Sequence, residues 1–166
     1  MSKFFNLVGE NIRSYPQVKI GKTIEQFVQK AVLMRLGMTD LNALRDRYEG
    51  QSFLEKHRSR LFGNLAVREY RGEIIRSRSF KLIDDDENLV TLSDVPHKIQ
   101  VCQFGEMPIM KSPQDVSRPI VLVYQRDIFW IHILGIISTD DAKNLDNYVK
   151  RGNYYEFEAF DKLESL

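Results

Sequence analysis

Two apolar runs decide the fold: Ile120-Val121-Leu122-Val123-Tyr124 and Ile128-Phe129-Trp130-Ile131-His132-Ile133-Leu134. Only Gln125-Arg126-Asp127 separates them. Neither run alternates apolar with polar residues, the pattern of strands buried on both faces. The short link predicts that they pair as an antiparallel hairpin. Upstream, Ile99-Gln100-Val101-Cys102-Gln103-Phe104 reads as another strand of the same sheet. A sheet buried on both faces needs cover on each side.

The segments around this sheet supply that cover. Ser2 to Tyr15 predicts a short helix with Phe4, Phe5, Val8 and Ile12 on one side, ended by Pro16. Val18-Lys19-Ile20-Gly21 reads as a connector. Thr23 to Leu36 has the clearest helical spacing, with Gly37 as its stop. Leu41, Leu44 and Tyr48 predict a short helix closed by Gly50. Ser52 and Glu55 form a capping-box pattern, so Phe53 to Phe62 reads as a third helix stopped by Gly63. Past Gly63, Leu65 to Tyr70 and Glu73 to Ile83 read as strands, the second at an edge or facing a ligand. Asp84-Asp85-Asp86-Glu87-Asn88 is a solvated turn and Leu89 to Leu92 a short strand. Pro108 and Pro113, with Pro119 just beyond, make Gly105 to Arg118 a long loop without a regular helix, and such loops often carry function. Ser138-Thr139-Asp140-Asp141 starts a last helix running to about Val149. Arg151-Gly152-Asn153 then turns the chain into a final strand from Tyr154 to Phe160.

The fold class that follows is α/β (or α+β), a mixed central β-sheet flanked by helices, with a helical insertion near residues 39–63. The 166 residues form one domain, helical over 1–63 and sheet-rich over 64–166.

Composition closes several function classes. The lone Cys102 excludes an intramolecular disulfide and a Cys-rich zinc site. No apolar run is long enough to span a membrane, and the N-terminus lacks the apolar core of a signal peptide. The expected location is therefore cytoplasmic, with no membrane partner. Neither GxGxxG nor GxxxxGK[ST] occurs, which argues against nucleotide-dependent kinases and ordinary dinucleotide oxidoreductases. His57, His97 and His132 are scattered, and His132 inside its apolar strand reads as a core residue. Cys102, centred in a buried strand, reads as inert.

Net charge is only +1, but it is unevenly placed. From Leu41 to Leu82 there are ten Lys and Arg against five acids, whereas Ser138 to the C-terminus carries seven acids and four bases. Lys56, Arg58 and Arg60 fall on a short helix; Arg71, Arg76, Arg78 and Lys81 line the strands after it, with Tyr70 and Phe80 interleaved. Arginines hold phosphates without reading sequence, and aromatics beside them stack on bases. Glu69 and Glu73 interrupt the run, as they would in an ordinary mixed-charge surface.

The order of elements resembles the restriction-endonuclease-like, or PD-(D/E)xK, nuclease superfamily. Gly21-Lys22-Thr23-Ile24-Glu25-Gln26-Phe27-Val28 is similar to its first helix, which often bears a glutamate near the metal site. Ile99-Gln100-Val101-Cys102 sits where the family has a strand with an acid and a lysine two residues apart. Ile133-Leu134-Gly135-Ile136-Ile137 resembles the strand and glycine that close many small members, and Arg151 through Leu163 their C-terminal extensions. The resemblance implies a Mg²⁺ ion held by an Asp and a second acid, with a Lys near the attacking water. Here the acid position reads Gln100 and the Lys position Cys102, with Asp84, Asp85, Asp86 or Asp94 as the first Asp, Lys98 as a lysine that could move inward, and Glu25 on the helix.

Three functional readings follow. The first is a DNA- or RNA-binding protein with a nuclease-like core and an incomplete metal site, its phosphates held by Arg58, Arg60, Arg76 and Arg78. The second is an active endonuclease with Asp84 or Asp94, Gln100 and Glu25 around Mg²⁺. The third is an assembly subunit without catalysis, paired with a protein partner or in a homo-oligomer.

Overall fold

The computed structural model describes residues 3–35, 48–72, 89–103, 105–127 and 129–166. In chain order these hold helix α1 (Lys3–Asn11), strand β1 (Gln17–Lys19), helix α2 (Lys22–Arg35) and helix α3 (Tyr48–Tyr70). Strands β2 (Leu89–Leu92), β3 (Val95–Gln103), β4 (Ile109–Met110), β5 (Ile120–Gln125) and β6 (Trp130–Ile137) come next. Helix α4 (Thr139–Lys143) precedes strands β7 (Tyr148–Arg151) and β8 (Tyr154–Phe157). The fold is α+β: a mixed five-stranded sheet in the order β1-β6-β5-β3-β2, with a second sheet β4-β8-β7.

The two apolar runs form β5 and β6, paired antiparallel as their short link requires. Strand β3 joins β5 in parallel, with Lys98 opposite Ile120 and Gln103 opposite Gln125. The β5–β6 ladder slips at Leu122/Val123, a bulge at which Gly135 takes φ +142. A Cβ on Gly135 would fall 2.8 Å from the Glu164 carbonyl oxygen. Glycine there lets the C-terminal segment lie against β6, where Ile136 and Glu164 exchange main-chain hydrogen bonds.

One face of the large sheet presents Val18, Val90, Ile99, Val121, Val123, Ile131 and Ile133 to α2 and α3. On the opposite face, Cys102, Leu122, Tyr124 and Leu134 pack under Phe4 of α1. Nearer the other end of that face, Ile120 and Ile137 pack with Tyr148 and Phe157 of the small sheet.

Four expectations are corrected. Residues Val18 and Lys19 are not a connector but part of strand β1, which pairs antiparallel with β6. The helix through Phe53 neither starts at Ser52 nor stops at Gly63; it runs on to Tyr70, so Leu65 to Tyr70 is helix and not strand. Its centre, Leu61 to Val67, is buried on every side, which erases the one-sided periodicity that marks a surface helix. Gly63 is the crossing point, since a Cβ there would meet the Val101 Cγ2 methyl at 2.5 Å. The last helix ends at Lys143, because Asn144 caps a new turn by accepting from the Asp146 N–H, and Tyr148 already begins β7. The strands expected over Glu73 to Ile83 and the acidic turn after them lie outside the described residues, as do Leu41 and Leu44 of the expected short helix; its expected stop at Gly50 lies inside α3.

Candidate nucleic-acid cleft

Strand β2 covers the outer edge of β3 only from Val95 to Lys98. From Ile99 to Gln103 that edge has no strand partner among the described residues. A cleft of ≈ 1000 Å³ opens along it. Ser59 and Arg60 of α3 stand on one wall, and Lys111 and Arg118 of the β3–β5 connection on the other. Gln100 and Gln103 form the floor.

Local hydrogen bonds hold this geometry. The Gln100 side-chain amide donates to the Ile109 carbonyl at 3.0 Å and ties the connection to the strand. The Gln103 side-chain amide is hydrogen-bonded to the Ser59 hydroxyl, which joins the floor to α3. Glu106 turns back to accept from the Gln103 backbone N–H at 3.2 Å. At the far end of the loop, the Lys98 N–H donates to the Pro119 carbonyl at 2.8 Å. Prolines 108, 113 and 119 prevent a continuous helix, and Pro113 instead opens a single 3₁₀ turn.

The charges on the walls are unequally engaged. The ion pairs among the described residues are Lys3–Glu158, Arg58–Glu25, Arg126–Asp127 and Arg151–Glu156. None uses Lys98, Lys111 or Arg118, which all border the cleft. Glu55, Glu106 and Asp115 also line it, so the cleft is mixed in sign with three cations unengaged by any described carboxylate.

The residues expected at a metal site are dispersed. Asp94 sits exposed at the β2–β3 turn with φ +64. Gln100 lies six positions further along the chain, about 20 Å at the usual rise per residue. Glu25 lies on α2, on the helical side of the sheet, and accepts from the Arg58 guanidinium at 2.5 Å. Asp84 lies outside the described residues. No group of three or more His, Cys, Asp or Glu able to hold a metal ion occurs among the described residues. Glu25, Asp94 and Gln100 therefore do not fit a common Mg²⁺. Cys102 is buried, and its thiol is pushed up to about 12 by that burial, with Glu106 adding to the effect. It is neither a cation nor a nucleophile near neutral pH.

The expected phosphate ligands divide. Arg58 is engaged: Glu25 holds it, and its guanidinium lies 5.3 Å from the centre of the Phe62 ring. The pair ties α3 to α2. Arg60 lines the cleft. Arg71 is exposed just past the end of α3, not on a strand. The side chain of Lys56, and Arg76, Arg78 and Lys81, lie outside the described residues. Lys98, Lys111 and Arg118 were not among the expected ligands, although the proline-rich loop that carries two of them was the signal.

No protein-family model, no curated protein and no solved structure matches this chain. No described helix is long and apolar enough to cross a membrane.

Proposed function

We infer that this protein binds nucleic acid along the cleft beside β3, with a nuclease-like core and without a complete metal site. The observation that carries this reading is the trio Lys98, Lys111 and Arg118, which border one cleft and pair with no described carboxylate. Small-molecule sites are mostly apolar and enclosed. This one is open and mixes apolar side chains such as Leu89, Ile109 and Val116 with amides, hydroxyls and charges, which leaves room for a polymer whose phosphates are the common feature. Gln100 and Gln103 add amide donors and acceptors on the floor, and Ser112 and Ser117 hydroxyls on the wall. The arrangement positions a backbone; it has no described carboxylate pair aimed at a metal.

The test is binding of labelled duplex DNA and single-stranded RNA at low and moderate salt, with Mg²⁺ present and the products run on a gel. Micromolar binding that weakens steeply with salt is expected, with the nucleic acid left intact. Absence of binding at low salt refutes the reading. Cleavage that survives careful removal of contaminating nucleases would replace it with the endonuclease reading.

A further inference from the structure

A second cluster stands at the end of the sheet where the β5–β6 turn lies. Trp130, the chain's single tryptophan, is half-buried at the start of β6. The Lys19 ammonium lies 5.8 Å from the centre of its ring, and the Arg126 guanidinium 5.5 Å. The neighbouring Phe129 is 43% exposed.

The acid in the cluster is already occupied. Asp127 Oδ1 accepts from the backbone N–H groups of Phe129 at 2.8 Å and Trp130 at 2.9 Å. Its other oxygen is 3.7 Å from Arg126 Nε. Asp127 therefore closes the turn, and one carboxylate faces two cations. The backbone fixes the rest. Lys19 is registered opposite Trp130, and the Ile20 N–H donates to the Phe129 carbonyl at 2.6 Å. Folding accounts for the turn and for the pairing of β1. It does not require an exposed phenyl ring at the tip of the turn, next in sequence to a tryptophan that carries two cations.

The position matters as much as the composition. Gln103, on the cleft floor, is opposite Gln125; Gln125 is opposite Ile131, and Ile131 opposite Val18. Arg126, Trp130 and Lys19 each lie one residue further toward the same end of the sheet. At the normal spacing between strands, three intervals span about 14 Å. The cluster and the Gln103 end of the cleft thus share one end of the sheet.

We propose that a single-stranded nucleic acid held in the cleft continues across this end of the sheet, with a base stacked on Phe129 and phosphates held by Arg126 and Lys19. This rests on the cleft reading and adds a preference for single strands. Phosphates attract cations in any form of nucleic acid, whereas a ring can stack only on a base face that pairing has not already covered. Trp130, kept in place by its two cations, is the next residue along and senses what binds at this end of the sheet.

The single tryptophan makes the cluster its own reporter. The experiment pairs fluorescence anisotropy of end-labelled oligothymidylate and of a duplex of equal length with the intrinsic emission of Trp130. It uses the unaltered chain, the Phe129→Ala and Arg126→Gln variants, and a Lys98→Glu/Arg118→Glu variant. The expected result is quenching of Trp130 emission by oligothymidylate. Phe129→Ala should lose about fivefold or more in single-strand affinity, the lower range for one stacked base, with duplex affinity unchanged. Oligothymidylate binding that leaves Trp130 emission and the Phe129→Ala affinity unchanged overturns the proposal and leaves the cleft reading intact. Unchanged binding by Lys98→Glu/Arg118→Glu, with loss in Phe129→Ala, overturns the cleft reading and leaves this cluster as the site. Equal losses for duplex and single strand in Phe129→Ala refute stacking. No binding of either oligonucleotide refutes both.

Discussion

The two faces of the large sheet are closed by different means. On one, α2 and α3 lie against a broad apolar layer, with Ser59 and Asn64 of α3 buried beside it, and α3 comes so close that Gly63 must be a glycine. On the other, α1, the C-terminal segment and the small sheet share the cover, and buried polar groups remain: His132 within β6, and Asn147 and Glu156 at the small sheet. The first face is built for packing density. The second is assembled from short pieces that need hydrogen bonds to hold them in place. The cleft opens at the strand edge where the two meet, beside β3, and apolar and polar side chains line it together.

The closest-packed point of the first face should be the most sensitive. Ala in place of Gly63 would ordinarily gain up to about 1 kcal/mol in a helix interior. Here its Cβ would be 2.5 Å from Val101 Cγ2 and 3.3 Å from Val123 Cγ2, and both neighbours are stiff, β-branched side chains in a sheet. The clash wins. Urea unfolding of Gly63→Ala should show a net loss of about 2 kcal/mol, the middle of the overpacking range. Val101→Ala in the same chain should recover part of it, a coupling that a double-mutant cycle measures. A stabilised Gly63→Ala would mean that α3 is not pressed on β3, and the contrast between the faces would fall.

On the second face the equivalent weak point is polar. The Asn147 side-chain amide is buried, donates to the Asp141 carbonyl at 2.9 Å and accepts from the Lys162 ammonium at 2.7 Å. It ties α4 and the 3₁₀ turn near the C-terminus to the start of the small sheet. Asn147→Ala leaves those partners without it and should cost about 1–2 kcal/mol in the same assay. A cost near zero would mean that the small sheet is held by Tyr148 and Phe157 packing alone.

His132 sharpens the contrast through pH. Its ring is fully buried, and neither ring nitrogen completes a hydrogen bond among the described residues. Burial holds its pKa below the ordinary value of 6.5, and the nearby Arg126 adds to this; the Tyr15 main chain and Asp127 act the other way. The unfolded chain thus takes up the proton at a higher pH than the folded one. The stability due to neutral His132 is whole above pH 6.5 and is lost as pH falls below it. Thermal unfolding followed from pH 7.5 down to 5 should show the midpoint falling, and His132→Phe should flatten the slope. An unchanged slope in that variant would place the acid sensitivity elsewhere.

These elements also show what was legible. The β5–β6 hairpin was readable because uninterrupted apolar runs joined by three polar residues have few other structures open to them. The Ser138 cap was readable because its hydroxyl accepts locally, from the Asp141 N–H at 3.1 Å. The continuation of α3 was not, because a helix buried all round has no polar face to give it a period, and a glycine that permits close approach looks like one that ends a helix. Strand β1 has three residues with one buried, too few to show alternation. The cleft was half legible. Its proline-rich wall stood out, but the cations that matter are brought together by the parallel pairing of β3 with β5, a contact between residues about twenty apart that no local pattern encodes. Arg58 shows the reverse: it belongs to a conspicuous basic run, yet the fold commits it to Glu25.

The smallest expected effect on stability is the most informative about function. Lys98 and Arg118 are exposed, engage no described carboxylate and touch neither buried face. Substituting each by Gln should shift stability by no more than about 0.5 kcal/mol, as for surface changes away from structural features. If the cleft holds phosphates, the same substitutions should weaken binding to all duplex sequences alike. The slope of log affinity against log salt should fall by about one for each cation removed. Glu25→Gln offers the opposite pattern, since it loosens the Arg58 tie between α2 and α3 while leaving the cleft charges in place. A lower unfolding midpoint with an unchanged salt slope is expected for it. Stability and salt slope then separate the two roles of charge in this chain: pairs that join helices, and cations that the strand edge leaves for a ligand. Should Lys98→Gln and Arg118→Gln leave the slope unaltered, the cleft cations are only a solvated surface, and the β3 edge they border has no electrostatic role in binding.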